Sequence, residues 1–203
     1  MPSLDAECAG LFCVGFHGTS PTPELLELVR RGAYGVILFA RNVESAEQVA
    51  GLSAALKRAA GRPLLVSVDQ EGGRVARLRA PQGFTELPPM RAVGAAGDEA
   101  LAREVGALLG RELRAVGVDQ DYAPVVDVDT NPHNPVIGDR SLSRDPGAVA
   151  RLGAALAAGI QSQGVAACAK HFPGHGDTLQ DSHRDLPRLP HPLARLRAVE
   201  LPP

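Results

Sequence analysis

The sequence predicts an α/β protein of (β/α)8-barrel type, with about five strand–helix units present and the barrel incomplete within the chain. Two observations carry the prediction. Short apolar runs bounded by turn residues alternate with longer stretches of helical period, the pattern of repeated strand–helix units on a parallel sheet. Long polar loops then follow the third, fourth and fifth runs at their carboxyl ends, where barrel enzymes place their sites. A doubly wound sheet shares the alternation, but no G-x-G-x-x-G follows the first strand, and "GTSPTPE" is no phosphate cradle.

The units can be read in order. "GLFCVGF" (10–16) is the first strand; Thr22 and Pro23 supply the N-cap and first position of the helix "PELLELVRR", which Gly32 ends. "GVILF" (35–39) is a buried strand. Ser45 caps the next helix, whose apolar positions Val49, Leu52, Leu56 and Ala59 keep to one face, and "PLLVSVD" (63–69) is the third strand. Residues 71–97, rich in Gly and Pro, read as a loop. The helix "DEALAREVGALLGRELRAVG" closes at Gly117, and "VDQDYAPV" (118–125) is the fourth strand. After an irregular stretch, Asp145 and Pro146 open a helix that ends near Gly164, ahead of the fifth strand "VAACAKH" (165–171).

Composition narrows the partner. With 203 residues, 44% hydrophobic, one domain is the default. A formal charge of -2 gives no basic face for nucleic acid, and five Phe, two Tyr and no Trp make a base-stacking platform hard to build. No apolar run approaches the roughly 18 residues of a membrane span, and the first residues lack the marks of a secretory signal. Cys8, Cys13 and Cys168 are odd in number and set in apolar runs, so buried free thiols and a reducing cytoplasm are expected. The expected partner is a small, near-neutral molecule, with no cofactor, nucleic acid or membrane.

Three loops carry the chemistry. In "SVDQEGGRVARL", Asp69 ends the third strand, and Gly72 and Gly73 let the chain turn so that Arg77 faces the same cavity. A carboxylate accepts from vicinal hydroxyls and Arg donates in a planar fork, which suits a polyhydroxylated ligand; a plain loop ion pair is the alternative. "DVDTNPHNPVIGDRSLSRDP" (127–146) is a long segment without a regular element, in which Arg140 can reach that cavity or pair with Asp139 or Asp145. Asp127 and His133 give no clear signal.

The third loop, "KHFPGHGDTLQDSH" (170–183), gathers three histidines, two aspartates and a lysine. Pro173, Gly174 and Gly176 deny it a helix, so His171 and His175 do not form a helical metal pair. Asp181 and His183 are one residue apart, so the carboxylate can hold one imidazole nitrogen and leave the other to move a proton. A solvated Asp-x-His turn is the alternative. A metal-dependent hydrolase built on His171, His175, Asp177 and His183 also remains open at this point, as does a non-catalytic sugar-binding module.

With the three loops assembled, the chain resembles the family-3 glycoside hydrolases, in particular the bacterial β-N-acetylhexosaminidases of the NagZ type. "DQEGGRVARL", "NPVIGDRSLS" and "KHFPGHGDTLQDSH" occur in the family's order. The resemblance implies that residues 1–203 are the N-terminal portion of a single (β/α)8 domain. It implies release of terminal β-linked N-acetylglucosamine with retention, often in cell-wall muropeptide recycling. It also implies sugar binding by Asp69, Arg77, Arg140, Lys170 and His171. His183 would be the proton donor and acceptor, with Asp181 as its partner, on a loop that closes over the sugar as Gly174 and Gly176 absorb the rotation. His175 and Asp177 would shape that loop.

A retaining glycosidase also needs a nucleophile, which the family carries on a later strand; nothing matching it follows His183, so these residues alone are expected to lack turnover. The open barrel is expected to expose sheet edges and limit solubility. A neutral histidine acid/base would also admit phosphate as acceptor, although water is the default.

Overall fold

The computed structural model describes residues 4–181 and 184–203. Its centre is a five-stranded, all-parallel sheet of β1 (Cys13–Gly15), β2 (Gly35–Leu38), β3 (Leu65–Val68), β4 (Gln120–Asp121) and β5 (Ala166–Ala167). The strands lie side by side in chain order, β1-β2-β3-β4-β5. A doubly wound sheet reverses its order at a switch point, whereas a barrel winds in one direction, so this order settles the fold as barrel-type and unclosed within the described residues.

Helices precede, connect and follow the strands: α1 (Leu4–Ala9), α2 (Pro23–Arg31), α3 (Ala46–Ala60), α4 (Met90–Ala96), α5 (Glu99–Ala115), α6 (Pro146–Ser162) and α7 (Leu193–Ala198). The caps are those the sequence names. Thr22, Ser45 and Asp145 accept from Leu25 N, Gln48 N and Ala148 N, and Asp98 does the same for α5. Val36, Leu38, Val66 and Val68 pack with Val29, Val49, Leu56 and Leu113 beneath the sheet. A second cluster joins Met90, Val93, Val128, Leu142 and Leu156.

Several expectations need correction. The 71–97 segment is not all loop: Met90 and Val93, three apart, bury one face of α4 in the second cluster. The fourth and fifth strands are shorter than their apolar runs because Pro124 has no N–H to continue the ladder. Pairing resumes past the gap, where Val126 N donates to Lys170 O and Lys170 N to Pro124 O. The cysteines are free but not buried. Cys8 is exposed on α1, a surface helix that buries none of its residues, and Cys13 and Cys168 are half-buried. No helix among the described residues is long and apolar enough to cross a membrane.

Candidate active site

Asp69 stands one residue beyond β3, and the loop after it is folded on itself by Gln70. The buried Gln70 amide accepts from Arg77 N and Leu78 N through Oε1 and donates to Leu78 O through Nε2. This closure returns Arg77 toward Asp69, with Nη2 3.5 Å from Oδ2. The turn between them requires glycine: Gly73 has φ +56, and a Cβ there would lie 2.7 Å from Pro89 Cα.

The 127–146 segment is ordered by its side chains. Asn134 accepts from Val136 N and Ile137 N, and its Nδ2 donates to His175 O and Thr178 O, joining this loop to the one after β5. Arg91 on α4 braces it from behind, donating to Ser141 O, Gly138 O and Asp129. Arg140 is thereby turned inward. It pairs with neither Asp139 nor Asp145: Asp139 meets Arg74, and Asp145 caps α6. Its partner is Glu71, reached by Nε and Nη2 at 2.8 Å each. Burial works against the Arg140 charge, but the hydrogen bonds and charge of Glu71 override it and hold the guanidinium pKa above its ordinary value.

Lys170 and His171 follow β5. Lys170 Nζ lies 2.7 Å from Asp69 Oδ1 and 2.6 Å from Glu71 Oε1. His171 Nδ1 is 2.6 Å from Asp127 Oδ2, and Asp127 Oδ1 accepts His175 N at 2.6 Å. Asp69, Arg77, Arg140, Lys170 and His171, all five residues expected to bind sugar, line one cavity of about 170 Å³, together with Glu71 and His175. Arg77 Nε is buried there with no hydrogen-bond partner among the described residues.

The loop after His171 is pinned as well. His175 is buried, its ring edge-on to that of His171 and its Nδ1 bonded to Thr178 Oγ1. Asp177 accepts from Thr130 Oγ1 and lies 2.6 Å from His191 Nε2. These contacts give His175 and Asp177 loop-shaping roles, although His175 also reaches the cavity wall. Gly176 packs closely against the 127–146 segment: a Cβ there would stand 1.8 Å from Val128 O. The carbonyl of Asp181 accepts Arg184 N and Asp185 N, and His183 lies outside the described residues. Among the described residues no group of three or more His, Cys, Asp and Glu is placed to hold a metal.

The sequence reading missed Glu71, Gln70 and Asp127. One signal was available for Asp127: it ends the apolar stretch "APVVD" as Asp69 ends "LLVSVD". A larger cavity, about 420 Å³, opens at the opposite ends of the strands beside Tyr34, Lys57 and Asp119. There Lys57 and Asp119 pair at 2.7 Å, Asp119 also accepts Val66 N, and the Arg62 guanidinium is spent on the carbonyls of Val29, Ala33 and Pro63.

The family model described as "Glycosyl hydrolase family 3 N terminal domain" matches residues 3–203. A β-hexosaminidase from Stenotrophomonas maltophilia (strain R551-3) is 44% identical over 200 residues, covering 95% of this chain and 58% of the relative. One from Thiobacillus denitrificans is 47% identical over 175 residues, covering 83% and 48%. Among solved structures, a family 3 β-N-acetylglucosaminidase from Paenibacillus sp. superposes with TM-score 0.94 at 45% identity, over 98% of this chain and 38% of that one. NagZ from Neisseria gonorrhoeae in complex with N-trifluoroacetyl-D-glucosamine gives TM-score 0.86 at 39% identity, over 92% and 57%. The chain spans about half the length of the curated relatives it matches. With fold, loop order and the match over residues 3–203 in agreement, the chain belongs to glycosyl hydrolase family 3, where it corresponds to the N-terminal domain.

Proposed function

We propose that these residues supply the sugar-binding and acid/base part of a retaining β-N-acetylhexosaminidase, as the N-terminal portion of one barrel domain. The observation that carries the reading is the convergence of Asp69, Arg77, Arg140, Lys170 and His171, from three separate loops, on one cavity at the carboxyl end of the sheet. Asp69 is suited to accept from sugar hydroxyls, and the cations to donate to hydroxyl and N-acetyl oxygens. The N-acylated glucosamine in the related Neisseria structure supports that ligand class.

In this proposal His183 protonates the departing glycosidic oxygen and later takes a proton from water, with Asp181 orienting its ring. The carboxylate that attacks C1 is assigned to the part of the relatives' length that these residues do not span. Muropeptide recycling and a cytoplasmic location belong to the same proposal. A chromogenic N-acetyl-β-D-glucosaminide assay run beside a binding titration tests it. Binding of N-acetylglucosamine without turnover is expected. Robust turnover by these residues alone contradicts the missing nucleophile, and absence of binding contradicts the sugar site.

A further inference from the structure

We infer that Glu71 is the positioning residue of the cavity: it turns Arg140 and Lys170 so that their spare N–H groups face a ligand, and it keeps Asp69 available as an acceptor. What the cavity takes rests on the sugar reading above; the role of Glu71 goes beyond it.

A count of hydrogens makes the case. The guanidinium of Arg140 has five N–H groups. Nε and one hydrogen of Nη2 go to Glu71, each at 2.8 Å, and one hydrogen of Nη1 goes to Val136 O at 3.2 Å. One N–H on each terminal nitrogen is left over, and such groups donate to acceptor oxygens of a ligand. The Lys170 ammonium has three hydrogens; one goes to Asp69 Oδ1, the charge is paired with Glu71 Oε1 at 2.6 Å, and at least one hydrogen is left for a ligand. Glu71 itself uses both oxygens on these cations, and its side chain is 2% exposed, so it acts through Arg140 and Lys170 rather than on a ligand.

Charge gives the second part. Asp69 and Glu71 face three cations, Arg77, Arg140 and Lys170, across one small cavity. With Glu71 neutral, Asp69 is left as the ion-pair partner of both Lys170 and Arg77, and its lone pairs are taken up before a hydroxyl arrives. Glu71 holds its place because its root is rigid: its N–H donates to Val75 O at 2.9 Å, on the turn made by Gly72 and Gly73.

A double-mutant cycle tests the inference. Calorimetric titration with N-acetylglucosamine compares the unmodified chain, Glu71→Gln, Arg140→Gln and the double variant. Each single change is expected to weaken binding about tenfold or more, and the double variant to bind no worse than Arg140→Gln, because Arg140 is already misplaced once Glu71 is neutral. Additive losses, or unchanged affinity in Glu71→Gln, overturn the inference. A ¹⁵N measurement of Arg140 Nε–H exchange in the unmodified chain gives a readout that needs neither sugar nor a folded variant. Slow exchange supports the assignment and exchange at the rate of a free arginine overturns it. Slow exchange with no sugar binding keeps the role of Glu71 and removes the sugar reading, so the two fail separately.

Discussion

The imidazole Nδ1 of His171 lies 2.6 Å from Oδ2 of Asp127, a carboxylate whose side chain has no exposed surface. The same group accepts the backbone N–H of His175 at 2.6 Å and that of His171 at 3.3 Å. A neutral His171 so held carries its proton on Nδ1 and keeps Nε2 as an acceptor. Asp127→Ala leaves three donors without their partner. At about 1 kcal/mol or more for each, it is expected to lower Tm by roughly 6–12 °C, read by scanning calorimetry.

Asp121 makes stability depend on pH. Burial pushes its carboxyl well above the usual carboxylate range, against the Gln70 N–H and the Lys170 charge that favour ionisation. Oδ1 accepts Gln70 N at 2.9 Å, and Oδ2 has no hydrogen-bond partner among the described residues. Above the ordinary carboxylate range the unfolded chain has lost this proton while the folded chain keeps it. This group's contribution therefore falls as pH rises toward the folded-state pKa and levels off above it. Asp121→Asn is neutral throughout and nearly the same shape. It should flatten the thermal stability profile, matching the unmodified protein near pH 4 and exceeding it by a few degrees at pH 8.

The contact between α5 and α6 depends on glycines, Gly106 and Gly159 foremost. A Cβ on Gly106 would stand 2.2 Å from Leu156 O, and one on Gly159 would stand 2.2 Å from Arg103 O. Gly159→Ala gains helix propensity but forces two backbones apart, for an expected net loss of roughly 1–3 kcal/mol in urea unfolding. Gly51 on α3 is the opposite case, where an added methyl group would meet nothing within 4 Å. There Gly51→Ala should stabilise by up to about 1 kcal/mol.

Asp177 and His191 tie together the two ends of the segment that carries Asp181 and His183. His191→Ala removes that tie, while Thr130 still donates to Asp177. Limited proteolysis should then cut between 178 and 190 several-fold faster, with the α5–α6 region as resistant as before.

The site was legible in the sequence where chemistry sits at the end of an apolar run or in a distinctive motif. Asp69 and Lys170 follow apolar runs, and Arg77 and Arg140 lie in loops whose glycines and length mark them. The supporting residues were not legible, because their roles exist only across the fold. Glu71 meets Arg140 over a separation of 69 residues, and Asp127 meets His171 over 44. Local spacing left Asp139 and Asp145 open as alternative partners of Arg140, yet both are engaged, by Arg74 and by the start of α6. The strand boundaries failed for a different reason: periodicity shows which residues are apolar, but not where Pro124 interrupts a ladder shared with β5.

The central claim is that a sugar sits among Asp69, Arg77, Arg140, Lys170 and His171. The most direct test is an NMR titration of the labelled chain with N-acetylglucosamine. The account predicts that the largest shift changes fall on Lys170, His171 and the Arg77 and Arg140 side chains, with Tyr34 and Asp119 unmoved. Changes confined to the cavity beside Tyr34 and Asp119, or no changes at all, would contradict it.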